Sequence, residues 1–355
     1  MAAVVLASTL LAACTSDAST RAGGESTDEG AGGSTTTAPQ VTAPDPEDIP
    51  PGTTLRVGDQ IEFLQTMLEV AGEDRDFPYE VEYSSFQGGP PMLQAFQGGA
   101  VDTGFVASTP LIFAQAQDQD LFAIAGWAAD HSNFSLVTAP GVDIDGWEDL
   151  AGKRVAYTRG TAMEGALLQA IDEAGVSPDE IETIDIAITG ATAALEAGSA
   201  DAAISVEPFT TMYLADNPDA RVAAEAPEIT DRSQFLIASR RTIDDEAKLA
   251  ALADYTLRLV RAFAYVREHP DEVAQAIYVE RYGLPPERAA EVARTQGVAS
   301  FIELPGDIVE QQQELADLYA EAGQIPHTVD VTAEFDTRLN EIILAEQERV
   351  TEEGS

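Results

Sequence analysis

Gln94-Ala95-Phe96-Gln97-Gly98-Gly99-Ala100-Val101-Asp102 is echoed far downstream by Leu195-Glu196-Ala197-Gly198-Ser199-Ala200-Asp201. Each stretch ends a short helix on glycine, the residue that accepts a helix-terminating conformation at least cost. Each then passes an aspartate, a strand and a proline, Pro110 or Pro208. The repetition predicts two similar units facing one another. Around the first copy, Leu55–Gly58, Tyr79–Tyr83, Val101–Val106, Leu121–Gly126 and Phe134–Thr138 read as strands, with helices over Ile61–Leu68, over Met92–Gln97 and, after Ala107-Ser108-Thr109-Pro110, through Ala116. Around the second, Arg154–Tyr157, Ile181–Ile188 and Ala202–Val206 are strands, and Ala162–Ala174 and Ala191–Ala197 are helices. Such alternation predicts a mostly parallel α/β sheet in each unit.

Beyond Phe235–Ala238 the pattern is helical almost to the end, over Glu246–His269, Asp271–Tyr282, Pro286–Gln296, Asp307–Ala322 and Thr332–Val350. This tail is expected to pack on the first unit. At the other end, Met1–Ala13 is uncharged and closes on Leu11-Ala12-Ala13-Cys14. The apolar run suits a signal-peptide core and is shorter than the ~20 residues of a membrane span. Cys14, the sole cysteine, is the expected lipidation site, so no disulfide is available. Met1-Ala2-Ala3 lacks the basic residues that open such a peptide, which places the expected translation start upstream. Residues 15–53, rich in Ser, Thr, Gly, Pro and acid, are expected to be a disordered tether. The body divides into residues 54–142 plus 236–355 and residues 143–235, as its length requires of two cores.

The formal charge is −43, from 62 acidic against 19 basic residues. With no basic run anywhere, nucleic acid is excluded as a partner. The acidity is read as solvation in a saline setting, where ~1 M salt shortens the Debye length to ~3 Å. Enzyme signatures are missing: the sequence has no H-E-x-x-H, G-x-S-x-G or G-x-G-x-x-G. Gly146–Lys153 has one residue too many for a P-loop, and Arg154 replaces its Ser/Thr. No catalysis, metal or cofactor is expected.

Four stretches carry a resemblance: Gly89–Phe96, Ser108–Ala116, Asp149–Ala156 and Gln311–Tyr319. In this order they resemble the aliphatic sulfonate, taurine and nitrate-type solute-binding proteins of ABC importers. The resemblance implies an α/β, two-lobed type II periplasmic-binding-protein fold, with a hinge between the lobes and a helical C-terminal segment. It implies a small-molecule ligand held in the cleft, a permease and an ATPase as partners, and a monomer outside the cytoplasm, tethered here by its lipid anchor. Members also bind bicarbonate, pyrimidine precursors of thiamine and aromatic compounds, and a ligand-sensing lipoprotein is the reading outside transport. Pyrimidine synthases of this fold use a cysteine-rich iron site, which a chain with one cysteine lacks.

In open α/β sheets ligands sit beyond the carboxyl ends of the strands. Arg159-Gly160-Thr161-Ala162 follows a strand and opens a helix, so its free N–H groups suit an oxyanion; Thr161 is equally an ordinary N-cap. Arg159 is a candidate partner for a sulfonate or carboxylate, or for a surface acid. Gly88 and Gly89 allow close approach of a ligand, or simply turn the chain before Pro90. Gln60 lies just past the first strand, Ser108 and Thr109 are hydroxyl donors at a strand end or else helix caps, and Ser132 and Asn133 are site candidates or ordinary polar loop residues. Glu207 matches an acidic position in the resembled proteins and would orient an amine or join a hinge salt bridge. For a neutral aromatic ligand, Phe86, Trp127 and Phe209 are the candidates instead.

Overall fold

The computed structural model describes residues 40–129, 134–226, 233–295 and 299–353. In chain order the first part runs β1 (Thr54–Gln60), α1 (Phe63–Ala71), β2 (Glu80–Phe86), α2 (Gly89–Gln97), β3 (Thr103–Ala107), α3 (Ser108–Ala116) and β4 (Leu121–Ala128). A second part follows with β5 (Phe134–Thr138), β6 (Arg154–Tyr157), α4 (Ala162–Glu173), β7 (Glu182–Asp185), α5 (Ala191–Glu196), β8 (Ala202–Val206), α6 (Phe209–Asp216) and β9 (Val222–Glu225). The remainder is β10 (Ser233–Ser239), α7 (Arg240–Ile243), α8 (Glu246–Glu268), α9 (Pro270–Val273), α10 (Pro286–Thr295), β11 (Ser300–Ile302), α11 (Ile308–Glu321) and α12 (Asn340–Glu353). The expected helix over 271–282 is interrupted, because a π-helical turn occupies Ala274–Val279.

Two sheets result. One is six-stranded, in the order β11-β4-β10-β3-β1-β2, and the other five-stranded, β7-β6-β8-β5-β9. Neither is mostly parallel. The β2-β1-β3 and β7-β6-β8 triplets are parallel, whereas β10 runs antiparallel to β3 and β4, and β5 antiparallel to β8 and β9. The reversal has a topological cause: β5 and β10 are the strands on which the chain enters one sheet after leaving the other. β5 therefore belongs to the second sheet, although it precedes residue 143.

The echoed sequences build the same device twice. In the first sheet Arg56 donates Nε and Nη2 to Asp102 (2.9 and 2.6 Å) and Nη1 to the Gly99 carbonyl (2.6 Å). In the second, Arg154 donates Nε and Nη2 to Asp201 (3.2 and 2.7 Å) and Nη1 to the Gly198 carbonyl (2.9 Å). Each aspartate also takes the backbone N–H of its arginine. The carboxylate thus ties β1 in one sheet and β6 in the other to the loop after the helix, and the arginine fork occupies the carbonyl at the helix end.

Each sheet is covered on both faces. Leu64 and Leu68 of α1, Leu252, Tyr255, Leu259, Val260 and Phe263 of α8, and Ile343 of α12 pack on the first sheet. The α8 residues recur at helical spacing and form one apolar stripe, and burying each such side chain contributes about 1.5–3 kcal/mol. Asp245 caps α8 by accepting from the Ala247 and Lys248 N–H groups. Met92, Phe96 and Leu111 cover the opposite face. On the second sheet, α4 packs one face through Leu167 and Ile171, and Leu195 and Tyr213 cover the other.

Two expectations need correction. Residues 40–53 are not a loose tether: Ile49 is buried in the first core, and the Val41 N–H donates to the Arg338 carbonyl at 2.9 Å. These two side chains are the only branched aliphatics in that stretch, and both find apolar surface. Nor does the whole tail pack on the first sheet. Leu315, Ala316 and Tyr319 of α11 join Ile112 of α3 in the second core. Gly165 of α4 permits this, since a Cβ there would stand 2.7 Å from Thr109 Oγ1 and 3.3 Å from the Tyr319 hydroxyl. Cys14, the expected signal peptide and the rest of the tether lie outside the described residues.

The α3–α11 seam holds a buried acid. Glu334 is 1% exposed and accepts from Gln312 Nε2 at 2.9 Å. Among the described residues its other oxygen and Gln312 Oε1 have no partner. Burial pushes this carboxyl from 4.5 up to about 8, with the Gln312 hydrogen bond opposing. A carboxyl whose folded pKa is raised binds more protons folded than unfolded. Stability is therefore lost as pH rises from the unfolded value through about 8. Asp59, pushed up to about 6 by burial, adds to the lower part of that window only. Glu334→Gln is expected to raise stability at about pH 8, to gain little at about pH 5, and to flatten the slope above about pH 6. Thermal melts of both proteins across this range check it, and an identical slope in the variant would refute the assignment.

Candidate ligand-binding site

A cavity of about 460 Å³ lies between the two sheets. The carboxyl ends of four strands reach it, through Gln60 of β1, Ala107 of β3, Trp127 of β4 and Val206 of β8. This is where an open α/β sheet leaves its crevice. The wall is largely apolar and aromatic, with Phe63, Met67, Phe105, Trp127 and Phe263 on the first side and Phe134, Met163 and Ile188 on the second. Trp127 is held by its indole N–H, which donates to Gln234 Oε1 at 3.1 Å.

Two helix N-termini, one from each half, meet at this cavity. Gly88 precedes α2 with φ 118°, and a Cβ there would stand 3.4 Å from Thr161 Cγ2 and 3.8 Å from Ile188 Cδ1. Opposite, Gly160 has φ 70°, and a Cβ would fall 2.9 Å from Pro90 Cγ. Both glycines are thus required by the backbone conformation, and Gly160 also by the close approach of the two turns. Among the described residues, the N–H groups of Gly88, Gly89, Thr161 and Ala162 have no protein acceptor. Unpaired donors at two helix starts, both at the positive dipole end, favour an anion.

Neighbouring groups are already committed. The Thr161 hydroxyl donates to the Thr158 carbonyl (2.7 Å) and accepts from the Met163 N–H (3.2 Å), so it caps α4. Buried Glu164 accepts the Gly160 N–H at 2.7 Å, and burial pushes its carboxyl up. Gln60 Nε2 donates to the Phe105 carbonyl at 2.7 Å. Glu207 accepts from Thr211 Oγ1 at 3.2 Å; burial raises its pKa, and no cation pairs with it among the described residues.

The profile described as NMT1/THI5 like matches residues 80–273, more than half of the chain. The chain belongs to the NMT1/THI5-like family. Among relatives of this NMT1/THI5-like chain is a putative aliphatic sulfonates-binding protein of Escherichia coli, 25% identical over 252 residues, covering 71% of this chain and 78% of that protein. The taurine-binding periplasmic protein of the same organism is 26% identical over 281 residues, covering 75% and 81%. Among solved structures, the alkanesulfonate-binding protein SsuA of Xanthomonas axonopodis pv. citri, bound to MOPS, superposes with a TM-score of 0.71. It is 24% identical and covers 81% of this chain and 99% of that one. The two-sheet architecture is therefore the periplasmic-binding-protein fold.

Of the residues singled out in the NMT1/THI5-like sequence, Gln60, Gly88, Gly89, Thr161, Ala162 and Glu207 converge on the cavity. Gly160 stands behind them as the contact to Pro90. Three others do not reach it. Ser108 and Thr109 are buried in the α3–α11 seam, where the Ser108 carbonyl accepts from Gln312 and the Thr109 hydroxyl pairs with Tyr319 at 3.0 Å. Arg159 faces outward, 3.8 Å from Asp185. Ser132 and Asn133 lie outside the described residues. Of the aromatic alternatives only Trp127 lines the cavity; Phe86 packs beside Met92 over Gly58, and Phe209 stands edge-on to Tyr282 at 5.8 Å. The sequence reading missed Phe263 and Arg267 of α8 and Arg294 of α10. In sequence these are ordinary positions of amphipathic helices, and nothing local marks them as cavity-facing.

Proposed function

We propose that this protein is the solute-binding component of an ABC importer, capturing a small organic anion of sulfonate type between its two sheets. The observation that carries the reading is the convergence of two helix N-termini with unpaired N–H groups on one cavity. Charge-assisted hydrogen bonds contribute roughly 1.5–3 kcal/mol each, so a few supply the ~8 kcal/mol of a micromolar complex. They act locally, which answers the repulsion from a chain of charge −43. The names of the relatives agree with this ligand class.

In this reading residues 54–128 with most of 233–353, and residues 134–225 of the second sheet, form lobes that close on the ligand as a monomer and present it to a permease and its ATPase. The protein works outside the cytoplasm, anchored through lipid on Cys14. Cys14→Ser, expressed from the full start in a lipoprotein-competent host, is expected to be released or left unprocessed. A mature, membrane-bound variant would remove the anchor from the reading.

Calorimetric titration at moderate salt with taurine, a short alkanesulfonate, benzenesulfonate, nitrate and a neutral aminopyrimidine tests the ligand class. At least one sulfonate is expected to bind in the micromolar range. A taurine preference over the alkanesulfonate would place its ammonium on Glu207. Binding of the pyrimidine with no sulfonate bound would sink the anion reading.

A further inference from the structure

We propose that Arg267 and Arg294 form a second anion-holding pole of the cavity, so that the preferred ligand is an aryl or chain-like acid bearing a second acidic group. The inference rests on the anion reading above and narrows its ligand class.

The first ground is charge. Acids outnumber bases in this chain by 62 to 19, and an arginine here readily finds a carboxylate. Among the described residues, every arginine has one within salt-bridge reach except Arg241, Arg267 and Arg294. Two of these three line the cavity. Arg267 donates Nη1 to Ser300 Oγ at 2.9 Å, and Arg294 donates Nε to the Ala290 carbonyl at 2.9 Å. A guanidinium has five donors in a planar fork, so each retains N–H groups for a bidentate acceptor.

The second ground is position. The helix-terminus pole comes from α2 and α4, whereas the arginines come from α8 and α10 of the tail. Aromatic wall, including Phe105, Trp127 and Phe263, belongs to the same cavity. A volume of about 460 Å³ falls in the range that holds drug-sized ligands. A two-carbon sulfonate is small against this volume, whereas an apolar body carrying a second acid offers a partner to the helix-terminus donors, the aromatic wall and the arginines together.

The test uses the full chain and two matched pairs of probes at equal ionic strength: benzenesulfonate with para-sulfobenzoate, and biphenylsulfonate with its para-carboxylated derivative. The quantity read is the affinity ratio of dianion to monoanion within a pair. It is expected to be about ten- to hundredfold in favour of the dianion in at least one pair, and to collapse toward unity in Arg267→Gln. Because Arg267 also ties α8 to β11 through Ser300, the exposed Arg294→Gln variant gives an independent reading, with a partial loss of the ratio. Arg267→Lys, which keeps a charge without the fork, is expected to fall between. No dianion preference in either pair overturns the proposal, as does a preference that both glutamine variants leave intact. If the monoanions bind and the dianions do not, or if none of the four binds while taurine or a short alkanesulfonate does, only this inference fails; if no sulfonate of either set binds, the anion reading fails with it.

Discussion

Gly160→Ala is expected to weaken anion binding by about a hundredfold, while lowering stability by only about 1–2 kcal/mol. Two effects act at that position. The backbone sits at φ 70°, where an L side chain costs about 1–2 kcal/mol. The new methyl would also stand 2.9 Å from Pro90 Cγ, and that ring belongs to α2, whose start forms the other half of the anion pole. Relief requires the two turns to part by tenths of an ångström, which misaligns the N–H groups of Gly88 and Gly89 against those of Thr161 and Ala162. Losing two charge-assisted bonds of ~1.5 kcal/mol corresponds to the stated factor. Gly175→Ala is the control, because it has φ 69° and nothing within 4 Å of a new Cβ. It carries the same backbone strain without the contact. Calorimetry on both folded variants decides: equal affinities in the two would mean that the approach of the turns does not matter for binding.

Asp102→Ala is expected to cost about 3–5 kcal/mol, the usual loss when one partner of a buried ion-paired network is removed. The Asp102 side chain is 1% exposed and holds both Arg56 and Lys248 at 2.6 Å. Burial pushes its carboxyl up, but the hydrogen bonds from Arg56, Lys248 and the Arg56 N–H outweigh that and hold it below its usual value. A depressed carboxyl stabilises the fold above its unfolded pKa, and this contribution disappears as pH falls through the folded value. The counterpart Asp201→Ala is expected to cost less, since the Asp201 side chain is 23% exposed and, among the described residues, pairs with Arg154 alone. Urea unfolding of both variants at neutral pH measures the difference. Equal midpoints would show that burial does not separate the two copies.

The duplicated aspartates also show how far the sequence can be read. The echo of Gln94–Asp102 in Leu195–Asp201 was visible as a string, and it does mark a repeated unit. Its partners were not visible, because Arg56 lies 46 residues from Asp102 and Arg154 lies 47 from Asp201. Sequence patterns report local conformation, whereas these bonds follow from which strands become neighbours. The same limit explains Ser108 and Thr109. Both stand at a strand end, where polar residues commonly face a ligand, but α11 arrives from the tail and covers them.

What the sequence by itself determined is whatever depends on neighbours a few residues apart. Strand and helix periodicity, the glycines that end helices, the proline-flanked turns and the start of α4 at Thr161 all belong here. Only the tertiary structure decided which of these turns meet. It set Gly160 against Pro90 and brought the unpaired N–H groups of the two turns to one cavity. It also brought Arg267 and Arg294 from distant helices to the cavity while turning Arg159 away from it. A helix records its apolar face in its own spacing, but the surface that face meets is fixed by sheet order and by the two crossings of the chain between the sheets, and neither leaves a local mark.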